Sequence, residues 1–534
     1  MLGIFTSFRI FILFFLLTLS LISCTREPEI KKPNAITVGS LADAKRLLPL
    51  LASDSASAEI SGWIFNGLTK YDKNIKTTGD LAESWDISPD GLQIIFHLRK
   101  NVLWHDGAEF TADDVLFTYN TVIDPKIPTP YSSNFGPIDK VEVLNKHTIK
   151  VSYKEPYAPA LESWGMGILP KHILQGKDIT NEYYVRNPIG TGPYKLKEWV
   201  TGQKIVLDAF DSYFEGRPKI DRYIVRVIPD TATMFLELKF GGIDFMGLTP
   251  PQYKLQAATN FFNKYFHKFR YPSFGYTYLG YNLKDTKFSD QRVRQAITHA
   301  INKKDIITGV MLGYGTPCTG PFPPESWAYN PDVIDLEYNP EISRKLFREA
   351  GWIKGQSGLL EKDGRAFEFT VLVNQGNEAR MKTAQILKEN LKTIGIKMNI
   401  KVLEWQAMLH EFIDKKRFEA VIMGWALSRD PDMYDIWHST KTKEGEFNFI
   451  SYKNEEVDKL LLEGRRTFDF EKRKIIYQRI HEIFADEQPC TFLYVPDALP
   501  VLHKRFKGVE KAPIGIWHDF IRWQVPKNKI EWYN

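Results

Sequence analysis

The stretch from Phe367 to Val402 constrains the fold most. Phe367, Phe369, Val371 and Val373 recur at every second position, the period of a half-buried strand. Met381, Ala384, Leu387, Leu391 and Ile394 then recur at spacings of three and four, which gathers them on one helical face. Gly395 suits the helix C-terminus, and Ile396 to Val402 returns to strand. A strand, a helix and a strand in this order form a crossover unit whose strands lie parallel in one sheet. A helix from Asn339-Pro340 to near Gly351, a strand at Gln93–Leu98 and a helix opened by Thr111 with Asp114 and stopped by Pro125 extend the pattern. The fold class is α/β, and 534 residues exceed what one hydrophobic core accommodates, so more than one lobe is expected.

The N-terminus reads as a targeting segment. Arg9 precedes an apolar run from Ile10 to Ile22, too short to span a bilayer comfortably, and the run ends in Leu21-Ile22-Ser23-Cys24. This resembles a bacterial lipobox, which implies a signal peptide over 1–23, a lipidated Cys24 and a tether over 24–35. No later segment is long enough to cross a membrane, so the expected location is the cell envelope, with attachment only through Cys24. Cys318 and Cys490 could form a disulfide or remain two buried thiols.

Net charge is +5, from 70 basic and 65 acidic side chains, and no basic block stands out. A nucleic-acid partner is not expected. The chain has no phosphate-binding GxxxxGK[ST] loop, no GxSxG elbow and no HExxH; His481-Glu482 begins such a motif, but Ala485 stands where its second histidine belongs. No metal site, cofactor or enzymatic activity is expected.

Several segments, in order, resemble the bacterial extracellular solute-binding proteins of family 5, the oligopeptide-, dipeptide- and nickel-binding proteins of ABC importers. They are Ile60–Lys70, Leu81–Asn120, Asn187–Trp199 (NPIGTGPYKLKEW) continuing to Asp230, Phe288–Ile307, and Gly424–Ser439 (GWALSRDPDMYDIWHS). The resemblance implies a two-lobed periplasmic-binding-protein-like fold of type II with an extra subdomain in lobe I. Lobe I is expected from 36–69, 186–284 and 496–534, the subdomain from 70–185 and lobe II from 285–495. The chain would cross between lobes near Tyr281–Asp285 and Val495–Leu499.

The resemblance also implies a monomer that binds a peptide between closing lobes and delivers it to an ABC permease and ATPase. In peptide-binding relatives an aspartate after the Gly-Trp pair holds the ligand's ammonium group. Here that position falls on Leu427 or Ser428, and Asp430 is the substitute. Trp425 and Trp405 are expected as cleft walls. Tyr276, Tyr278 and Tyr494 are expected to offer hydroxyls, and Ser55 and Ser57 to lie on a loop near the ligand. A non-peptide ligand such as an oligosaccharide, nickel complex or other small solute, a ligand-sensing lipoprotein, and an exported hydrolase are the alternatives.

Overall fold

The computed structural model describes residues 33–529. The signal segment, Cys24 and the start of the tether lie outside them. Two seven-stranded sheets and a four-stranded sheet organise the chain.

The first lobe is built on strands in the order Phe266–Lys268, Pro500–His503, Phe245–Gly247, Ala35–Ser40, Arg222–Val227, Lys204–Ala209 and Tyr194–Val200. Ala35–Ser40 runs parallel to Arg222–Val227, while the outer hairpins are antiparallel. The first and last strands of the described residues therefore share this sheet. Arg505 fastens them: buried, it donates to both oxygens of Asp244 (3.0 and 2.8 Å) and to the carbonyl of Pro33.

The subdomain is the antiparallel sheet Ala82–Ile87, Gln93–Leu98, Thr148–Tyr153 and Ile138–Asn145. The helix Ala112–Val122 packs against it, with the Thr111–Asp114 capping box formed. The second lobe carries the crossover unit: Glu368–Asn374 and Lys397–Leu403 pair in parallel, joined by the helix Glu378–Thr393. Buried apolar side chains cover both faces of the centre of this sheet, so Gly275–Tyr281 and Ala420–Ala426 read as nearly continuous apolar runs, whereas Lys397–Leu403 at its edge alternates.

Gly190 shows why the NPIGTGPY segment is shaped as it is. A side chain there would place its Cβ 1.9 Å from the carbonyl oxygen of Ile64, so the backbone can approach the end of helix Ser55–Ile64 only at glycine.

Two strands tie the lobes. Gly275–Tyr281 lies inside the second sheet, between Ala420–Ala426 and Cys490–Ala498. The first crossing therefore falls at 269–274, before this strand, and not at Tyr281–Asp285. Nothing in the local sequence of Gly275–Tyr281 says which sheet would take it. At the crossing, Tyr271 and Pro272 pair with Ala498 and Asp497, so both connections run side by side. Cys318 and Cys490 are separate buried thiols.

His481 offers a test of this packing. Its Nδ1 accepts from the Asn330 N–H (3.1 Å), so the proton sits on Nε2, which faces the Thr319 hydroxyl at 3.0 Å. A second proton would have to be placed against a donor, and the ring is fully buried. Burial pushes its pKa down to about 4. The unfolded histidine titrates near 6.5. The stabilising contribution is thus complete above that pH and is lost as pH falls from about 6.5 toward 4, by on the order of 3 kcal/mol. Chemical denaturation at pH 7 and pH 4.5 should show a smaller acid loss for His481→Gln than for the parent; equal losses would remove His481 from the account.

Candidate functional site

Between the lobes lies a cavity of about 1010 Å³, lined by both. At its edges the lobes touch. Lys45 Nζ sits 2.7 Å from His410 Nδ1, the Gln406 amide donates to the Asp43 carbonyl (3.1 Å), and the Thr231 hydroxyl donates to Glu378 (3.1 Å). On the subdomain side Arg465 reaches the Asn134 side-chain oxygen (3.1 Å), Ala158 N–H donates to the Arg465 carbonyl (2.7 Å), and Arg466 pairs with Glu155 (2.7 Å). The structure is a closed form.

The floor of the cavity is strand Ala420–Ala426. Gly424, Trp425 and Ala426 pair with Thr277, Tyr276 and Gly275 on one side. On the other side, pairing with Glu368–Asn374 stops at Ala420 and Val421. Among the described residues no strand covers the outer edge of Met423–Ala426, and all four of these residues line the cavity.

Aromatic rings form one wall. Trp425 meets Phe447 edge-on at 5.4 Å, and Phe447 meets Tyr131 of the subdomain at 5.7 Å. Trp405, at the start of a short helix capped by Glu404, also lines the cavity. Ser55 does too, as the exposed first residue of the helix capped by Asp54.

The remaining expected residues are placed otherwise. Ser57 is fully buried; its hydroxyl donates to Asp54 (2.7 Å) and accepts from the Lys45 N–H (2.8 Å), so it stabilises the helix start. Tyr276 belongs to the cavity wall, but its hydroxyl is buried, as is that of Tyr278, which does not reach the cavity. Tyr494 is buried beside them and also lies off the lining. In a central strand both faces meet apolar packing, so alternation sends these rings into the core. Asp430 does line the cavity, but Arg473 takes both its oxygens at 2.6 and 2.8 Å. An internal cation occupies the place that a ligand's ammonium group was expected to fill.

Arg380 is a feature that the sequence reading missed. It lines the cavity in the first turn of helix Glu378–Thr393 and donates to the Asn374 side-chain oxygen at 2.9 Å. No carboxylate of the described residues lies within ion-pair distance of it. Burial lowers its pKa, with the hydroxyls of Tyr494 and Tyr278 opposing. A signal was present: a cation in the first turn of a helix opposes the helix dipole, and this helix starts just past the C-terminal end of a parallel strand, where open α/β sheets bind ligands.

The family model described as bacterial extracellular solute-binding proteins, family 5 Middle, matches residues 76–447. The oligopeptide-binding protein AppA of Bacillus subtilis (strain 168) is 36% identical over 504 residues, covering 92% of each chain. The solved structure of Bacillus subtilis AppA in complex with a nonapeptide superposes with a TM-score of 0.87 at 33% identity, covering 93% of this chain and 100% of that one. NikZ of Campylobacter jejuni in complex with Ni(L-His) gives 0.84 at 28% identity, covering 92% and 99%.

Proposed function

The chain belongs to the bacterial extracellular solute-binding proteins of family 5, and from that premise we propose that it captures peptides between its lobes and hands them to an ABC permease and ATPase. In this reading the protein is exported and held to the membrane by lipid on Cys24.

The observation that carries the peptide reading is the uncovered edge of Met423–Ala426 inside a closed cleft. A strand edge presents N–H and C=O groups that an extended peptide can pair with whatever its side chains. Water can fill around those side chains in a cavity of about 1010 Å³, which allows loose sequence selectivity. Arg380 supplies a charge that a peptide carboxylate neutralises, and Trp425, Trp405 and Ser55 complete the walls. Asp430 keeps only a positioning role, through Arg473.

No covalent step is required. The ligand touches both lobes only when they are closed, so its binding energy is the difference between open and closed forms and shifts the population to the closed one. A permease can then distinguish loaded from empty protein.

Native mass spectrometry of residues 25–534, purified without denaturation, tests the reading. The expected result is a mixture of short peptides released from the protein and identified by fragmentation. A single sugar or metal complex in their place would overturn the peptide assignment while leaving solute capture intact.

A further inference from the structure

A second chamber of about 700 Å³ lies in the first lobe, between the helix Ser55–Ile64, the start of the subdomain and the segment 517–522. Glu162 is common to the linings of both cavities. The helix links them as well. Glu59 faces the main cavity, while Gly62 and Trp63, one turn further on, line the chamber. One turn advances about 5 Å, within the reach of an extended long side chain.

We propose that this chamber is a subsite for the basic side chain of a bound peptide, with Glu162 at its mouth as the carboxylate that receives the cation. The proposal rests on the peptide reading given above.

Four observations support it. First, the Glu162 carboxylate accepts from the Thr77 hydroxyl at 3.1 Å and from its own backbone N–H, and among the described residues no lysine, arginine or histidine nitrogen lies within ion-pair distance; Arg473 acts on it only as a more distant charge. This contrasts with Asp430, which Arg473 holds through both oxygens, and with Asp432, which Arg465 holds at 2.8 Å. Second, the chamber has unbalanced charge. Lys70 is shared by Asp80 at 3.2 Å and Glu215 at 2.6 Å, and Arg522 pairs with Asp519 at 3.3 Å. With Glu162, four carboxylates line the space against two fixed cations. Third, Tyr71, Tyr213, Trp517 and Phe520 also line it. Aromatic walls accept the methylene stem of arginine or lysine and attract its charged end. Fourth, burial and the neighbouring charge of Asp430 raise the Glu162 pKa, so an incoming cation relieves an existing cost. An acidic side chain would be repelled, and a plain aliphatic one would gain only the packing against the rings.

Calorimetric titration of the purified protein with a scanned peptide set tests the proposal. The set is alanine peptides of graded length, each carrying Arg, Lys, Leu or Glu at one position in turn. The expected result is one position at which Arg, then Lys, binds about tenfold or more tighter than Leu or Glu, as a charge-assisted hydrogen bond implies. Glu162→Gln, which keeps the Thr77 contact, should reduce that preference to about threefold or less, with a much larger affinity loss for the Arg peptide than for the all-alanine one. Glu162→Asp should retain part of it. Peptides that bind with no basic preference at any position, or a preference unchanged in Glu162→Gln, would overturn the subsite and leave the peptide reading standing. Failure of every peptide to bind would overturn the peptide reading and the subsite with it.

Discussion

Arg465→Ala should cost about 3–5 kcal/mol of stability and loosen the closed form at the same time. The Arg465 side chain is 6% exposed and reaches Asp432 at 2.8 Å, with Asp435 at 4.0 Å; those carboxylates are themselves only 10% and 13% exposed. Burial opposes its charge, but Asp432, Tyr157 and Asp435 outweigh burial and raise its pKa. Removing the guanidinium leaves Asp432 buried with the Tyr434 N–H as a donor but no counter-charge, and breaking a buried pair from one side carries that penalty. Asp435 keeps Lys441 at 3.4 Å, so most of the loss falls on Asp432. The same guanidinium also donates to the Ser133 carbonyl and the Asn134 side chain across the cleft. Urea denaturation should therefore show the lower midpoint, and small-angle scattering of the ligand-free protein a larger radius of gyration. A loss below about 1 kcal/mol would mean that water reaches Asp432 and that the pair is a surface pair in its energetics. Arg465→Met combined with Asp432→Leu should recover most of the stability without restoring the compact dimension, because it replaces the buried pair but not the bonds to Asn134 and Ser133.

Arg380→Gln should weaken peptide binding by about 10- to 150-fold, the range expected for a hydrogen-bonded charge pair removed from a ligand. It should leave folding stability unchanged or slightly raised, because the free protein carries an arginine that burial disfavours and that no carboxylate of the described residues offsets. The opposite signs separate a ligand contact from a structural one. Titration of one peptide with the parent and the variant, beside their melting curves, gives both numbers. Equal affinity, or a large fall in stability, would assign Arg380 to the fabric of the lobe. A peptide with an amidated C-terminus sharpens the test: it should lose affinity for the parent and little further for Arg380→Gln.

What could be read in the sequence was whatever leaves a periodic or capped signature. The crossover unit showed in Phe367–Val402 because strand and helix periods follow one another there, and Thr111 with Asp114 announced a helix whose capping box is formed. Trp425, Trp405 and Ser55 were placed at the cleft by family resemblance, and each lines the cavity. The rest depended on partners distant along the chain. Nothing near Asp430 says that Arg473 will meet it from the first turn of helix Phe470–Glu487, beyond helix Glu455–Arg466. Nothing in Tyr276-Thr277-Tyr278 says that both faces of that strand will be covered, which is what turns the hydroxyls away from the cleft. Glu162 matters because among the described residues no cation comes within ion-pair distance of it, which only the assembled structure reveals. Arg380 is the exception, since its unfavourable place on its own helix was visible locally.

The pairing of Tyr271–Pro272 with Asp497–Ala498 also sets how the molecule can move. Two independent tethers would let the lobes twist, shear and swing. Two tethers hydrogen-bonded to each other form a ribbon, which bends readily across its flat face and resists sliding along its length. Closing is then close to a motion in one coordinate, like a leaf spring flexing. The search for the closed state runs along a line instead of through a volume of orientations, and little of the ligand's binding energy is consumed in selecting the angle at which the two halves meet.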